Sequence, residues 1–476
     1  SGRIFEFEIV ANAAGISENA ALDALDELRQ AGLVTYVEPG YYEFNHNMTV
    51  EVATQEISDP RRRLMHRRIA AAMEAIYTKS RRDSMVGVIA GHFADGGALE
   101  RAVPYAYQAG QQAANLAAWR EASSFFEQAL SGASGQARFP ILVDLGSVLL
   151  QAGRQVQASE AFREALHLAE SEHDPARINQ ARLALAQSIL AQARFDEAIR
   201  LARQVLETGR QEEAVEAEFI WGTALSLEGA DLETAARHLK SAERLCPEAN
   251  QVIAPGPAGM EVNLGRVKFE LGSVAAQQGD LERAVASYRE AIHASCKNQD
   301  ETSLAWCILA YNNLAYHLLL MDDPQAEKYA RTGLQLAQEK GMLGQQPYLF
   351  STLGEITLAH GDLVSAEEYF RQGLRLAHRL AMSERVAGIT ANLGLLALDQ
   401  GDLNLAIHRL SSALSRADQL GTRHLAAQIR LWLAPLLPEE EGRRLLEEAR
   451  AFAESGQRRL LLEQAEHLEA QFDSQS

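Results

Sequence analysis

The run Leu353-Gly354-Glu355-Ile356-Thr357-Leu358-Ala359-His360-Gly361-Asp362-Leu363-Val364-Ser365-Ala366-Glu367-Glu368-Tyr369-Phe370 decides the fold. Its apolar positions keep a helical period up to Ala359, break at Gly361-Asp362, and resume a helical period at Leu363, Ala366 and Phe370. Gly-Asp supplies a tight turn, with the aspartate placed to cap the second helix. Gly354 falls in mid-helix, where glycine costs about 1 kcal/mol against alanine. Close approach of the paired helix is the simplest compensation, and Ala366 is expected to face Gly354 across the pair. The same pattern returns at Leu271-Gly272 with Gly279-Asp280-Leu281 and Ala284, and at Leu393-Gly394 with Gly401-Asp402-Leu403 and Ala406. Looser copies carry Ala122, Ala158, Ala198, Ala235 and Ala326 as the marker alanine. Ala326, Ala366 and Ala406 lie at forty-residue steps. One longer interval holds Pro247, Pro255, Gly256, Pro257 and Gly259, which read as an irregular loop.

A single helix pair cannot bury its apolar face alone, so the pairs must stack. These residues resemble the tetratricopeptide repeat over about residues 97–455, with Phe162, Tyr288, Phe370 and Leu410 at the aromatic-or-leucine position four residues past the marker alanine. The long period resembles that of kinesin light chains and of the sensor region of the bacterial maltose-regulon activator. The fold expected is therefore mainly α: an α-solenoid, a tetratricopeptide-like superhelix of about 9–10 helical pairs, preceded by a small winged-helix domain. The domain limits read from the sequence are 1–80 for the winged helix and its linking helix, 81–455 for the superhelix, and 456–476 for a capping helix and tail.

The winged-helix reading comes from a short helix over 8–14, a second over Glu18–Ala31 capped by Ser17, then strands at Leu33–Val37 and Tyr41–Phe44 about the turn Glu38-Pro39-Gly40. A longer helix follows at Arg61–Tyr77, with Met65, Ile69, Met73 and Ile76 on one side. The run Ala24-Leu25-Asp26-Glu27-Leu28, then Tyr42-Glu43-Phe44-Asn45-His46-Asn47, then Arg61-Arg62-Arg63-Leu64-Met65-His66-Arg67-Arg68-Ile69-Ala70 is similar to the segment that joins the ATPase to the repeat sensor in signal-transduction ATPases with numerous domains, the STAND class. That resemblance implies a nucleotide switch upstream, with ATP or ADP and magnesium as its cofactors and His46 against the β-phosphate of ADP. Asn45 and Asn47 depart from the Met and Asp that flank this histidine in the class. The opening Ser1-Gly2 leads to the expectation of an excised fragment whose own ATPase lies upstream. No G-x-x-x-x-G-K-[ST] occurs here, so the chain itself is expected to hold no cofactor and to be no enzyme.

Composition narrows the rest. The net charge of −19 disfavours nucleic acid, since phosphate contacts need clustered Lys and Arg. The basic run Arg61, Arg62, Arg63, Arg67, Arg68, Arg81 and Arg82 lacks visible base readers beside it, so DNA is not an expected partner. No apolar run reaches the length of a membrane span. Three cysteines, Cys246, Cys296 and Cys307, an odd number with no CxxC spacing, argue against a disulfide framework or a zinc site and for a reducing, cytoplasmic setting. The histidines show no HExxH or paired metal spacing, and no catalytic constellation is visible, so catalytic and metal sites are expected to be none.

What remains is the inner face. In tetratricopeptide arrays the first helix of each pair lines the groove, which places Glu270, Ser273, Asn312, Asn313, Thr352, Glu355 and Asn392 as candidate ligand-binding residues. Such side chains bond a peptide backbone or sugar hydroxyls without demanding charge. They can equally bond one first helix to the next, and both roles stay open. Trp221, Trp306 and Trp432 are expected in the core. The functional expectation is a sensor that takes a protein, peptide or small-molecule inducer on its concave face and controls the upstream ATPase. The alternative is a repeat scaffold that binds protein partners with no nucleotide switch.

Overall fold

The computed structural model describes residues 4–46, 48, 52, 55–208, 211–229, 231–246, 262–297, 300–456 and 458–475. The proline- and glycine-rich stretch 247–261 and Asn47 lie outside them. The chain divides into two compact units, the first running to Gln192 and the second from Ala193. Both are mainly α, with helices packed in succession as in tetratricopeptide-like solenoids.

The first unit opens with β1 (Ile4–Glu6), α1 (Phe7–Ala14), α2 (Glu18–Gln30), β2 (Val34–Glu38) and β3 (Tyr41–Phe44). The strands form an antiparallel sheet in the order β1-β3-β2, with Phe5 opposite Tyr42 and Val34 opposite Phe44. Sequence periodicity misses β1, because three residues are too few to show alternation. Ser17 caps α2 by accepting from Ala20 N–H, as expected.

Next come α3 (Asp59–Ile76), α4 (Lys79–Ser84) and α5 (Val86–Asp95). Ala70, Ala72 and Met73 of α3 share a core with Ile9, Ala13, Ile89 and Phe93, whereas Met65 stays exposed. Several arginines of the basic run are engaged within the unit. Arg62 pairs with Asp59, Arg67 donates to Gly96 O at 2.7 Å, and Arg81 donates to Glu6 at 2.8 Å, where Tyr77 also donates at 2.9 Å. Five repeat helices complete the unit: α6 (Leu99–Asn115), α7 (Trp119–Gly132), α8 (Arg138–Gln151), α9 (Gln155–Glu172) and α10 (Pro175–Ala191).

The second unit is a run of helices: α11 (Phe195–Thr208), α12 (Gln211–Glu228), α13 (Leu232–Leu245), α14 (Leu264–Gln277), α15 (Leu281–Ser295), α16 (Glu301–Leu320), α17 (Ala326–Glu339), α18 (Gln346–Ala359), α19 (Leu363–Arg379), α20 (Ser383–Asp399), α21 (Leu403–Leu420), α22 (Arg423–Leu433), α23 (Glu439–Ser455) and α24 (Arg459–Gln475). The Gly-Asp turns work as their chemistry requires. Gly279, Gly361 and Gly401 take left-handed φ, and Asp280, Asp362 and Asp402 accept from the N–H of Arg283, Ser365 and Leu405 at 3.0–3.1 Å.

The marker alanines are buried, and the mid-helix glycines make a second close contact with the residue four positions further on. A Cβ on Gly354, Gly272 or Gly146 would run into the ring of Phe370, Tyr288 or Phe162, and one on Gly394 would meet Leu410. The mid-helix glycine therefore seats the large side chain four residues past the marker, and at Gly394 and Gly222 the backbone carbonyl of the marker alanine, Ala406 or Ala235, lies against it as well. A flat ring needs a flat bed, and only glycine offers one. Ala366 is fully buried all the same. Ala366→Leu should lower stability by about 1–3 kcal/mol through overpacking. A urea midpoint equal to wild type would show that the site has unexpected room.

Cys296 and Cys307 form a disulfide, with Cα atoms 5.4 Å apart. The odd count and spacing that argue against a disulfide framework therefore do not reveal this single bridge. Cys296 closes α15 and Cys307 lies early in α16, and the packing of the two helices on each other brings them together. Cys246 is free.

Candidate functional site

The first helices α14, α16, α18, α20 and α22 are successive neighbours. Their polar residues form a ladder. Thr352 donates to Asn312 Oδ1 at 2.9 Å, and Asn392 donates to Ser351 at 3.1 Å and to Glu355 Oε1 at 2.8 Å. Ser351 also donates to Glu355, at 3.1 Å. These bonds knit α16 to α18 and α18 to α20. Asn312, Thr352, Asn392 and Glu355 thus take up the helix-bonding role that the sequence left open beside the ligand role. Burial raises the Glu355 carboxyl above its ordinary range, against the pull of its two donors.

Asn313 and Ser273 lie differently. Both line a cavity of about 1010 Å³ inside the second unit. Asn313 donates to Tyr288 Oη at 3.3 Å, which stands 3.3 Å from Ser273 Oγ. Burial pushes the Tyr288 hydroxyl up to about 12, so it stays protonated. His317 anchors its ring on Asn313 O at 2.6 Å, and burial lowers its pKa, keeping it neutral. Gln277, which bonds Ser226 at 3.1 Å, and Tyr316 complete this wall, with Leu227, Leu281 and Leu320 as its apolar part.

The opposite wall comes from α22 and α24, through His424, Gln428, Leu431, Trp432, Leu461, Gln464 and Leu468, with Arg458 just ahead of α24. Gln428 donates to Gln464 at 2.9 Å. The segment read as a capping helix packs on the core of α22 and α23 through Leu461, Ala465, Leu468 and Phe472, and it also forms a cavity wall, which its amphipathic pattern alone could not show. Trp432 packs on the core of α22–α24 and also faces the cavity. Trp306 meets Phe269 edge to face and lies beside the Arg266 guanidinium, Trp221 stacks on His238, and both are half-buried.

Glu270 is not on the cavity wall. It sits one turn from Arg266, whose guanidinium lies 4.7 Å from the Phe219 ring centre and 5.1 Å from that of Trp306. Burial pushes the Glu270 carboxyl up to about 7, with Arg266 pulling it back only in part. His46, in the first unit, is exposed just past β3. Beside it Asn45 donates to Gly32 O at 2.5 Å. Among the described residues no three His, Cys, Asp or Glu side chains are grouped to hold a metal ion. No helix among them is long and apolar enough to cross a membrane.

A tetratricopeptide-repeat profile matches residues 265–295, the α14–α15 pair that carries Ser273 and Tyr288. No curated protein matches the chain in sequence. Among solved structures, the chain is similar to the apo form of the quorum sensor NprR from B. thuringiensis, at 12% identity and a TM-score of 0.49, over 75% of this chain and 96% of that one. It is also similar to a STAND protein with a tetratricopeptide-repeat sensor from Pyrococcus horikoshii, at 14% identity and a TM-score of 0.45. That likeness covers 99% of this chain, which spans 63% of the other's length. A Rap protein solved with Competence and Sporulation Factor is similar at 14% identity and a TM-score of 0.45, over 73% of this chain and 99% of that one.

Proposed function

We propose that the chain is a tetratricopeptide-type regulatory scaffold whose second unit takes an extended peptide segment of a partner into the cavity between α14–α16 and α22–α24. The observation that carries this reading is the lining. Asn313, Ser273, Gln277, Gln428 and Gln464 offer amide and hydroxyl groups beside leucines and Trp432, within a volume suited to a short peptide. A peptide backbone asks for uncharged donors and acceptors, and its side chains ask for apolar surface. The full chain, incubated with an equimolar pool of random octapeptides and separated by gel filtration, should retain a subset. Asn313→Ala should weaken the retained peptides about tenfold, by loss of one hydrogen-bonding group from the cavity wall. Unchanged retention in that variant would count against the cavity as the site.

The finer reading, in which this scaffold governs an upstream STAND ATPase, is proposed on the sequence run through His46 and on the element order of the N-terminal segment. There, two helices are followed by a hairpin whose sheet gains β1, which suits a winged helix. It is tested by the parent gene and by His46→Ala. A P-loop upstream of Ser1 and faster ADP release in that variant support it, whereas unchanged ADP retention counts against it.

A further inference from the structure

Arg458 is buried, only 3% exposed, and lines the cavity. It donates to Phe452 O at 2.9 Å and to Glu228 O at 3.4 Å, the carbonyl ends of α23 and α12. Two helix C-termini offset part of its charge, since each carries a partial negative pole. They engage two of the five N–H groups of a guanidinium, and Nε is buried with no partner. Among the described residues no carboxylate pairs with Arg458. The acids near this end of the cavity are held elsewhere: Glu463 pairs with Arg459 at 2.7 Å, and Glu384 with Arg385 at 3.8 Å. The site is also built to keep the arginine in place. Gly229 has a left-handed φ of 72°, and the guanidinium stands where any side chain at that position would go.

A buried cation without an acid is costly, and fixed arginines of this kind are matched to carboxylates. We infer that the end of the cavity formed by Arg458 and His424 receives a carboxylate, the C-terminal one of the bound peptide. This rests on the peptide reading above and adds the direction in which the chain lies. The apolar and amide walls then take the residues that precede the terminus.

His424 supplies a second signature. Burial first and Arg458 second hold its pKa at about 4, so its ring is neutral in the free protein. A carboxylate against Arg458 cancels the second effect and raises that pKa. The groups that face His424 across the cavity are Arg458, Glu463 and His467 from the α24 side, Glu384 from α20, and His317 and Tyr316 from α16, with Arg423 beside it on α22. The group's pKa rises on binding, so affinity for the acid form should increase as pH falls from neutrality toward about 5, with uptake of a proton.

The test uses two octapeptide pools of the same sequences, one with free C-terminal acids and one amidated, on the full chain. The expected result is at least tenfold greater retention of the acid pool, collapsing to parity in Arg458→Gln and partly kept in Arg458→Lys, a second variant that preserves the buried charge. Calorimetry near pH 5.5 in two buffers of different ionisation enthalpy should show proton uptake for a retained acid peptide and none for its amide. Equal retention of acid and amide forms overturns the inference and leaves the peptide reading standing. Retention of neither pool overturns both.

Discussion

Phe370→Ala is expected to lower the unfolding free energy by about 3–5 kcal/mol, the range for emptying an aromatic site in a packed core. The ring is fully buried, lies on Gly354, and shares a cluster with Ala366, Ala377, Val386, Ile389, Leu393 and Leu396. Its neighbours are small or fixed on three helices, so collapse into the space is limited and the cost should fall in the upper half of that range. A second substitution separates ring packing from any general fragility. Gly354→Ala in the wild-type background drives a methyl group into the ring and should destabilise. In the Phe370→Ala background the same change meets no ring and gains about 1 kcal/mol of helix propensity. The sign of the Gly354→Ala effect should therefore reverse between the two backgrounds. Urea denaturation reads the totals, and amide exchange across α18 and α19 reads the local part, because a repeat array can open in pieces. The same sign in both backgrounds would mean that the ring does not lie on the glycine.

The sequence makes the repeat legible because it repeats a physical necessity. Turn glycines, capping aspartates and small residues recur wherever two helices must meet closely, so Gly361, Asp362 and Ala366 can be read without coordinates. The partner of each mid-helix glycine could not be read this way. Ala366 and Phe370 lie on the same face of one helix, and only the crossing geometry shows that the Phe370 ring reaches Gly354. The candidate site divides along the same line. Residue type and first-helix position mark Asn312, Asn313, Thr352 and Asn392 alike, yet Asn313 lines the cavity while the other three bond helix to helix. Adjacent positions on a helix point about 100° apart, and the sequence does not say which direction is open. Arg458 and His424 were missed because nothing periodic marks them. Arg458 meets Glu228 across most of the second unit, a contact that no local pattern encodes. The basic residues beside it, Arg459 and Arg423, give no hint of which one is buried. The disulfide was missed for a related reason: the separation of eleven residues between Cys296 and Cys307 has meaning only once α15 and α16 pack on each other.

Glu270→Gln is expected to stabilise the protein at pH 8 by roughly 2–3 kcal/mol and to leave it nearly unchanged at pH 4. In the fold this residue is half-buried, and burial lifts the pKa of its carboxyl from the ordinary 4.5 to about 7, more than Arg266 draws it down. A carboxyl whose folded pKa is raised prefers its neutral form in the native state. Its contribution to stability is complete below about pH 4.5 and is lost as pH rises through about 7. Glutamine mimics the neutral form at every pH and does not incur that loss. The difference between the two proteins should therefore open between pH 4.5 and 7 and level off above about 8. Arg266 does not need the carboxylate to stay in place, because its guanidinium is stacked against Phe219 and Trp306. Urea midpoints of both proteins at pH 5 and pH 8 measure the effect. A constant difference across pH would place the titration elsewhere, and a less stable glutamine variant at pH 8 would mean that the Arg266–Glu270 attraction outweighs burial. The location gives the result functional weight. Glu270 lies one turn before Ser273 on α14, so a proton leaving it near neutral pH adds a buried charge to the helix that forms one wall of the cavity. Peptide uptake against this wall is expected to weaken over the same interval in the wild type and not in Glu270→Gln.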